Sequence, residues 1–209
     1  MVPVPWRAVP PTPVTSLLLV RHGQSEWNAE GRWQGQADPP LSALGETQAI
    51  AAAERLHGID VVWASDLVRA ARTAELIAGE LEVDVVLDDR WRERHAGEWQ
   101  GYTRDEIEAA WPGYLAEGRR PPGWEPDAVV VDRALDACLA MAADHPGAGV
   151  VVVTHGGVVR ALERHLGATG DELLANLGGR WVEVHGGTFR LGERVLLLDG
   201  AIVTRPQHI

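Results

Sequence analysis

The 209-residue chain has a single cysteine, Cys138, which excludes an internal disulfide and leaves no partner for a thiolate metal site. It falls in an apolar helical pattern, where a small buried hydrophobe is its expected role. No apolar run approaches the roughly 20 residues that cross a bilayer, so no membrane partner is expected. No His, Cys and Asp residues stand at metal-ligand spacing, and the sequence implies neither a metal nor another cofactor. Basic residues are also scarce: 19 against 30 acidic ones give a formal net charge of −11. Nucleic acids and anionic membranes reward a basic face, so neither fits as a general partner. There is no internal repeat. The opening stretch MVPVPWRAVPPTPVT is too rich in proline for the apolar segment of a signal peptide. Residues 1–15 are expected as a flexible lead-in and the protein as cytoplasmic. Residues 16–209 are expected as one domain, acting as a monomer or homodimer.

What is present has the composition of an ordinary globular domain, 45% hydrophobic and 23% charged. Leu17-Leu18-Leu19-Val20 reads as a short strand buried on both faces, ending abruptly in Arg21-His22-Gly23. Residues 28–40 hold too many Gly, Pro and Asp for a regular element. Ser42 caps a helix running to Leu56, which His57-Gly58 closes. Ile59 to Ala64 is a second buried strand, and Ser65-Asp66 caps a helix from Leu67 to Leu81. Val83 to Leu87 gives a third strand. A charged, aromatic loop over 88–101 precedes a short helix from Arg104 to Trp111 and an irregular stretch, together an insertion near 103–127. A long helix follows from Ala128 to Asp144. Gly149 to Thr154 is the strongest strand signal and runs into His155-Gly156-Gly157, with a helix from Val158 to Leu166 after it. The tail from Trp181 to Val203 alternates well enough for two or three strands. Strands alternating with helices predict an α/β domain, a three-layer α/β/α sandwich around a mostly parallel sheet.

Two of these strands end alike, in Arg21-His22-Gly23 and in Thr154-His155-Gly156-Gly157. If the strands run parallel, both imidazoles emerge at the edge where open α/β sheets bind ligands. Arg72 reaches the same edge from a helix that starts there. Two arginines and two histidines around one point suit a phosphoryl group, because guanidinium forks match its oxygens and keep their charge. One imidazole can take the phosphoryl group as nucleophile, and the other can donate to its oxygens. A carboxyl group must then protonate the leaving oxygen and later activate water.

The run Arg21-His22-Gly23-Gln24-Ser25-Glu26-Trp27-Asn28, then Arg72, then Thr154-His155-Gly156-Gly157 resembles the signature of the histidine phosphatase superfamily. That family includes the cofactor-dependent phosphoglycerate mutases and many small-molecule phosphatases. The resemblance extends from Leu17 to about Leu198 and implies a phosphoglycerate mutase-like fold. It implies His22 as the nucleophile that carries the phosphohistidine. It also implies Arg21, Arg72 and His155 in the phosphate pocket, with Asn28, Gln34 and Gly156 as substrate contacts. The family's acid lies in a stretch similar to residues 91–101, a register that selects Glu93, with Glu98 as the rival on sequence alone.

Mutases of the family are longer and clamp a bisphosphate with paired arginines. Arg119-Arg120 lies in that region, but its flanks, Pro112-Gly113 and Pro121-Pro122-Gly123, do not match. Hydrolysis of a small-molecule phosphate ester is therefore expected, with mutase activity as the alternative. A non-catalytic phospho-ligand-binding protein is a third reading, disfavoured because every residue of the chemistry is present. Arg32 to Gln36 and Gly97 to Gly101 look most like the family's broad-specificity and glucosyl-3-phosphoglycerate phosphatases. The implied substrate is that ester or a range of sugar phosphates. Relatives often carry Gly-Gly-Glu-Ser where this chain has Gly123-Trp124-Glu125-Pro126, a change in the substrate-side wall. Trp111 and Trp124 are expected to form part of that wall.

Overall fold

The computed structural model describes residues 13–170 and 172–204. The expected lead-in lies outside the described residues as far as residue 12, and Thr15 already belongs to the first strand. The strands are β1 (Thr15–Arg21), β2 (Val61–Ala64), β3 (Val85–Leu87), β4 (Gly149–Thr154), β5 (Gly178–His185) and β6 (Thr188–Leu196). They form one sheet in the order β3-β2-β4-β1-β5-β6. The first four are parallel, while β5 and β6 join as an antiparallel edge.

Alternation along β1 and β4 decides which helix covers which face. Leu17, Leu19, Val150 and Val152 point into one core, where they meet α5 (Asp127–Asp144) and α6 (Gly156–His165). Leu18, Val20, Val151 and Val153 point the other way, onto α2 (Ala43–Ala53) and α3 (Val68–Leu81). Full burial of aliphatic side chains contributes roughly 2 kcal/mol each, so the two central strands are firmly seated. Cys138 lies buried in the first of these cores.

Two short α-helices join these, α1 (Glu26–Ala29), just after β1, and α4 (Arg104–Ala110) in the insertion, together with 3-10 turns at Asp89–Trp91, Gly97–Trp99 and Gly200–Ile202. The insertion has its own small core. Trp33, Trp99 and Ile107 are buried together, with Trp111, Tyr114, Leu115 and Trp124 packed against them. No helix among the described residues is long and apolar enough to cross a membrane.

Three local details differ from the sequence reading. Helix α2 stops at Ala53, one turn short of Leu56. The edge of the sheet begins at Gly178, ahead of Trp181. Helix α3 is not capped by Ser65 or Asp66: Leu67 is its N-cap residue, the Val68 N–H donates instead to Asp38 Oδ1 at 2.8 Å, Ser65 is turned toward a histidine, and Asp66 pairs with Arg92 at 2.5 Å.

Candidate active site

Strands β1 and β4 are neighbours in register, with Arg21 opposite Thr154. His22 and His155 are the next residues in each strand and therefore leave the sheet side by side. The His22 N–H donates to the Thr154 carbonyl at 2.9 Å, carrying the pairing one step beyond the strands. The two imidazole rings lie 5.1 Å apart in an edge-on arrangement. Both are buried.

Each ring is held on one nitrogen. His22 Nδ1 is 2.6 Å from the Gly23 carbonyl, which can only accept, so Nδ1 carries the proton. In the neutral ring Nε2 then keeps its lone pair, and the Arg69 Nε–H approaches it at 3.3 Å. His155 Nε2 is 3.0 Å from Ser65 Oγ, while its Nδ1 is buried with no protein partner. Burial, followed by the charges of Arg69 and Arg21, holds the pKa of His22 well below the ordinary imidazole value. Burial, then Arg69 and His22, does the same to His155. Both rings are neutral at pH 7, the state a nitrogen nucleophile needs.

The turn that aims His22 depends on a close approach. A Cβ on Gly23 would stand 2.6 Å from the Gly45 carbonyl oxygen, and one on Gly45 would stand 2.0 Å from that of Gln24. Any larger side chain at either position forces α2 away from the strand end.

The cations are Arg21 and Arg69, not Arg21 and Arg72. Arg72 is exposed on the outer side of α3, where it pairs with Glu46 at 3.0 Å and Glu75 at 3.2 Å. Arg69 stands one turn earlier on α3 and is fully buried, donating to the Gly35 and Ala37 carbonyls at 2.8 and 2.9 Å. Those two bonds tie the loop after α1 to the histidine. The physical reason is helical phase: Thr73, Ala70, Ala74 and Ile77 define the buried arc of α3, and Arg69 borders it while Arg72 lies beyond it. Arg21 donates to the Leu174 carbonyl at 2.7 Å. Burial pulls the pKa of each guanidinium down to about 10, so both stay charged at pH 7.

One pocket is lined by Arg21, His22, Asn28, Gln34, Arg69 and Glu93, with Gly156 and Trp124 also on its wall. Ser25 organises the two amides. It caps α1 by accepting from the Asn28 N–H at 3.1 Å and donates to Gln34 Oε1 at 2.8 Å. Asn28 Oδ1 accepts from the Ser25 N–H at 3.2 Å and from Asn176 Nδ2 at 3.3 Å. With both amide oxygens engaged, their NH2 groups are the donors left for an anion.

Glu93 is held by two backbone donors, its own neighbour Arg94 N–H at 2.8 Å and the Gly157 N–H of α6 at 3.0 Å. Gly157 is required here because a Cβ would stand 2.3 Å from Glu93 Oε1. Glu98, the rival carboxylate, is exposed in a separate turn and does not line the pocket. Trp124 is part of the wall as expected, whereas Trp111 packs instead on Trp99 and Tyr102.

Arg69, Ser65 and Asn176 complete the site beyond the residues the sequence singles out for it. The phase of α3 was a usable signal for Arg69. Ser65 was legible only as a cap, and Asn176 reaches His22 from a loop 154 positions away, donating to its carbonyl at 2.9 Å.

A family model described as histidine phosphatase superfamily (branch 1) matches residues 17–194. The glucosyl-3-phosphoglycerate phosphatase of Mycobacterium tuberculosis (strain H37Rv) is 37% identical over 191 residues, covering 79% of this chain and 86% of that protein. The metal-independent phosphoserine phosphatase of Arabidopsis thaliana is 41% identical over 160 residues, covering 71% and 67%. Among solved structures, the native mycobacterial glucosyl-3-phosphoglycerate phosphatase superposes with a TM-score of 0.76 at 32% identity, covering 85% of this chain and 97% of that one.

Proposed function

The chain belongs to branch 1 of the histidine phosphatase superfamily, and from that premise we propose how its pocket hydrolyses the phosphomonoester of a small metabolite. One observation carries the reading: a neutral imidazole nitrogen, His22 Nε2, stands in a pocket that also holds two charged guanidiniums and a carboxyl group. His22 Nε2 attacks phosphorus as the bond to the leaving oxygen breaks, and Glu93 gives that oxygen its proton. Arg21, Arg69, the His155 Nδ1 side and the amides of Asn28 and Gln34 stabilise the three phosphoryl oxygens. Glu93, now a carboxylate, takes a proton from water, which attacks phosphorus and breaks the N–P bond. Inorganic phosphate leaves and His22 returns to its neutral form. We read the acidic chain as a cytoplasmic enzyme, a monomer or homodimer, working on a small diffusible ester.

Mutase activity would use the same first half, with a second substrate hydroxyl replacing water. The paired arginines weighed for that role diverge. Arg119 lies over Tyr114 at 3.9 Å and pairs with Glu117 at 2.7 Å, while Arg120 faces Trp124 at 5.0 Å. A two-guanidinium clamp is not formed from them, which favours water as acceptor.

Glu93→Gln tests the assignment of the acid. It should cut kcat for an alkyl phosphate such as glycerol phosphate by about 10²–10³-fold. The loss on p-nitrophenyl phosphate, whose leaving group needs little protonation, should be at least tenfold smaller in phosphorylation of His22 under single turnover. Equal losses in that step on both esters would remove Glu93 from the role.

A further inference from the structure

The acid has no regular element to stand on. Glu93 lies between the 3-10 turns Asp89–Trp91 and Gly97–Trp99, in residues 92–95, which form no helix or strand. One guanidinium grips this stretch. Arg133 of α5 donates through Nη1 to the Arg90 and Arg92 carbonyls, both at 2.6 Å. Its Nε and Nη2 donate to Glu125 Oε1 and Oε2 at 2.9 and 3.1 Å. Glu125 in turn holds His95 from both sides. Its Oε2 accepts from the His95 N–H at 2.9 Å, and its own N–H donates to the His95 carbonyl at 2.9 Å. The pair thus fixes the chain one residue before Glu93 and two after it, while Gln36 Nε2 donates to the Glu93 carbonyl at 3.0 Å. The Arg133 and Glu125 side chains are only 17% and 14% exposed, so water competes little for these bonds.

Neither residue lines the phosphoryl pocket. Their effect reaches it through the backbone. Of the two donors to the Glu93 carboxylate, the Arg94 N–H moves with the loop, whereas the Gly157 N–H belongs to α6. The carboxylate meets Gly157 only while the loop is seated. Proton transfer needs the acid within hydrogen-bond reach of the leaving oxygen, and a displacement of about 1 Å can cost about 10²-fold in rate.

We propose that Arg133, braced by Glu125, is the positioning residue for the acid and sets where the Glu93 carboxyl stands against the leaving oxygen. The inference rests on the hydrolase reading and adds to it the groups that aim its acid. Only a planar fork spans a carboxylate on one side and two carbonyls on the other, which is why an arginine fits here and a lysine would not replace it fully. Arg21, His22 and Arg69 are held by other partners, so the pair acts on protonation and not on phosphate binding.

Glu125→Gln with Arg133→Met removes the pair without leaving a lone charge in a poorly hydrated place. Phosphorylation of His22 under single turnover should slow about 10–100-fold with glycerol phosphate and less than about threefold with p-nitrophenyl phosphate. The Kd for inorganic phosphate, read by calorimetry, should stay within about twofold, since the pocket's guanidiniums are untouched. Arg133→Lys should show the same selectivity with a smaller loss, and it carries the test alone if the double variant does not fold. Equal losses on both esters, or no loss on either, overturn the proposal.

The Gly157 amide resonance gives a reading independent of turnover. In the variants it should move toward its position in Glu93→Ala, and a resonance left in place also overturns the proposal. If the unsubstituted protein turns over no ester, the hydrolase reading fails by itself. The Gly157 resonance then still decides whether Arg133 seats Glu93.

Discussion

Arg69→Ala should lower kcat/KM for p-nitrophenyl phosphate by about 10³-fold, whereas Arg72→Ala should change it less than about threefold. The contrast follows from where three residues of helical phase put each side chain. Arg69 is buried against the nucleophile, 3.3 Å from His22 Nε2, and the phosphoryl oxygens must come to the same nitrogen. Its charge acts in a site cut off from bulk water, where a fixed guanidinium is worth far more than on the surface. Arg69 also fastens the Gly35 and Ala37 carbonyls, so its loss loosens the loop that carries Gln34. Arg69→Lys keeps a charge but not the fork, and most of the deficit should persist. Arg72 is an exposed side chain held by two surface acids, the kind of pairing that contributes about 0–1 kcal/mol to stability. Comparable losses at the two positions would show that the phosphate pocket is not built around Arg69.

His22→Ala should abolish turnover, with kcat falling by about 10⁴-fold or more while thermal stability changes little. No neighbour stands ready to replace the lost nitrogen. His155 is tied through Nε2 to Ser65, and Glu93 is fixed by two backbone donors beside α6. The substitution also removes a buried imidazole that burial and two guanidiniums already keep uncharged, so no ion pair is broken. A protein that only bound phospho-ligands would have no turnover for this change to remove. Retention of more than about a tenth of the activity would place the nucleophile elsewhere.

Much of this site can be read from the chain because it hangs on strand ends. Arg21, His22 and His155 directly follow or close fully buried runs, and a buried parallel strand leaves its terminal residues little choice of position. The sheet, its two cores and the order of helices follow from the same runs. Glu93 needed the family's motif to separate it from Glu98, because a charged loop of 14 residues carries no periodicity to say which acid faces inward. Arg69 is not legible from the apolar residues of its helix, because a cation at the border of that arc counts against burial in a sequence. Its charge is instead balanced by the Gly35 and Ala37 carbonyls, by Asp38 at 4.0 Å and by Glu93 across the pocket. Ser65 and Asn176 act only through residues distant in sequence, which local patterns do not encode.

The covalent step is the claim on which everything else depends. Rapid acid-free quenching of the protein during turnover of a ³²P-labelled ester, followed by peptide mapping, reads it directly. The account predicts label on His22, stable to alkali, lost in acid, and missing from His22→Ala. A protein that hydrolyses the ester at full rate with no label on His22 at any time, even when phosphoryl transfer to water is slowed, would contradict it.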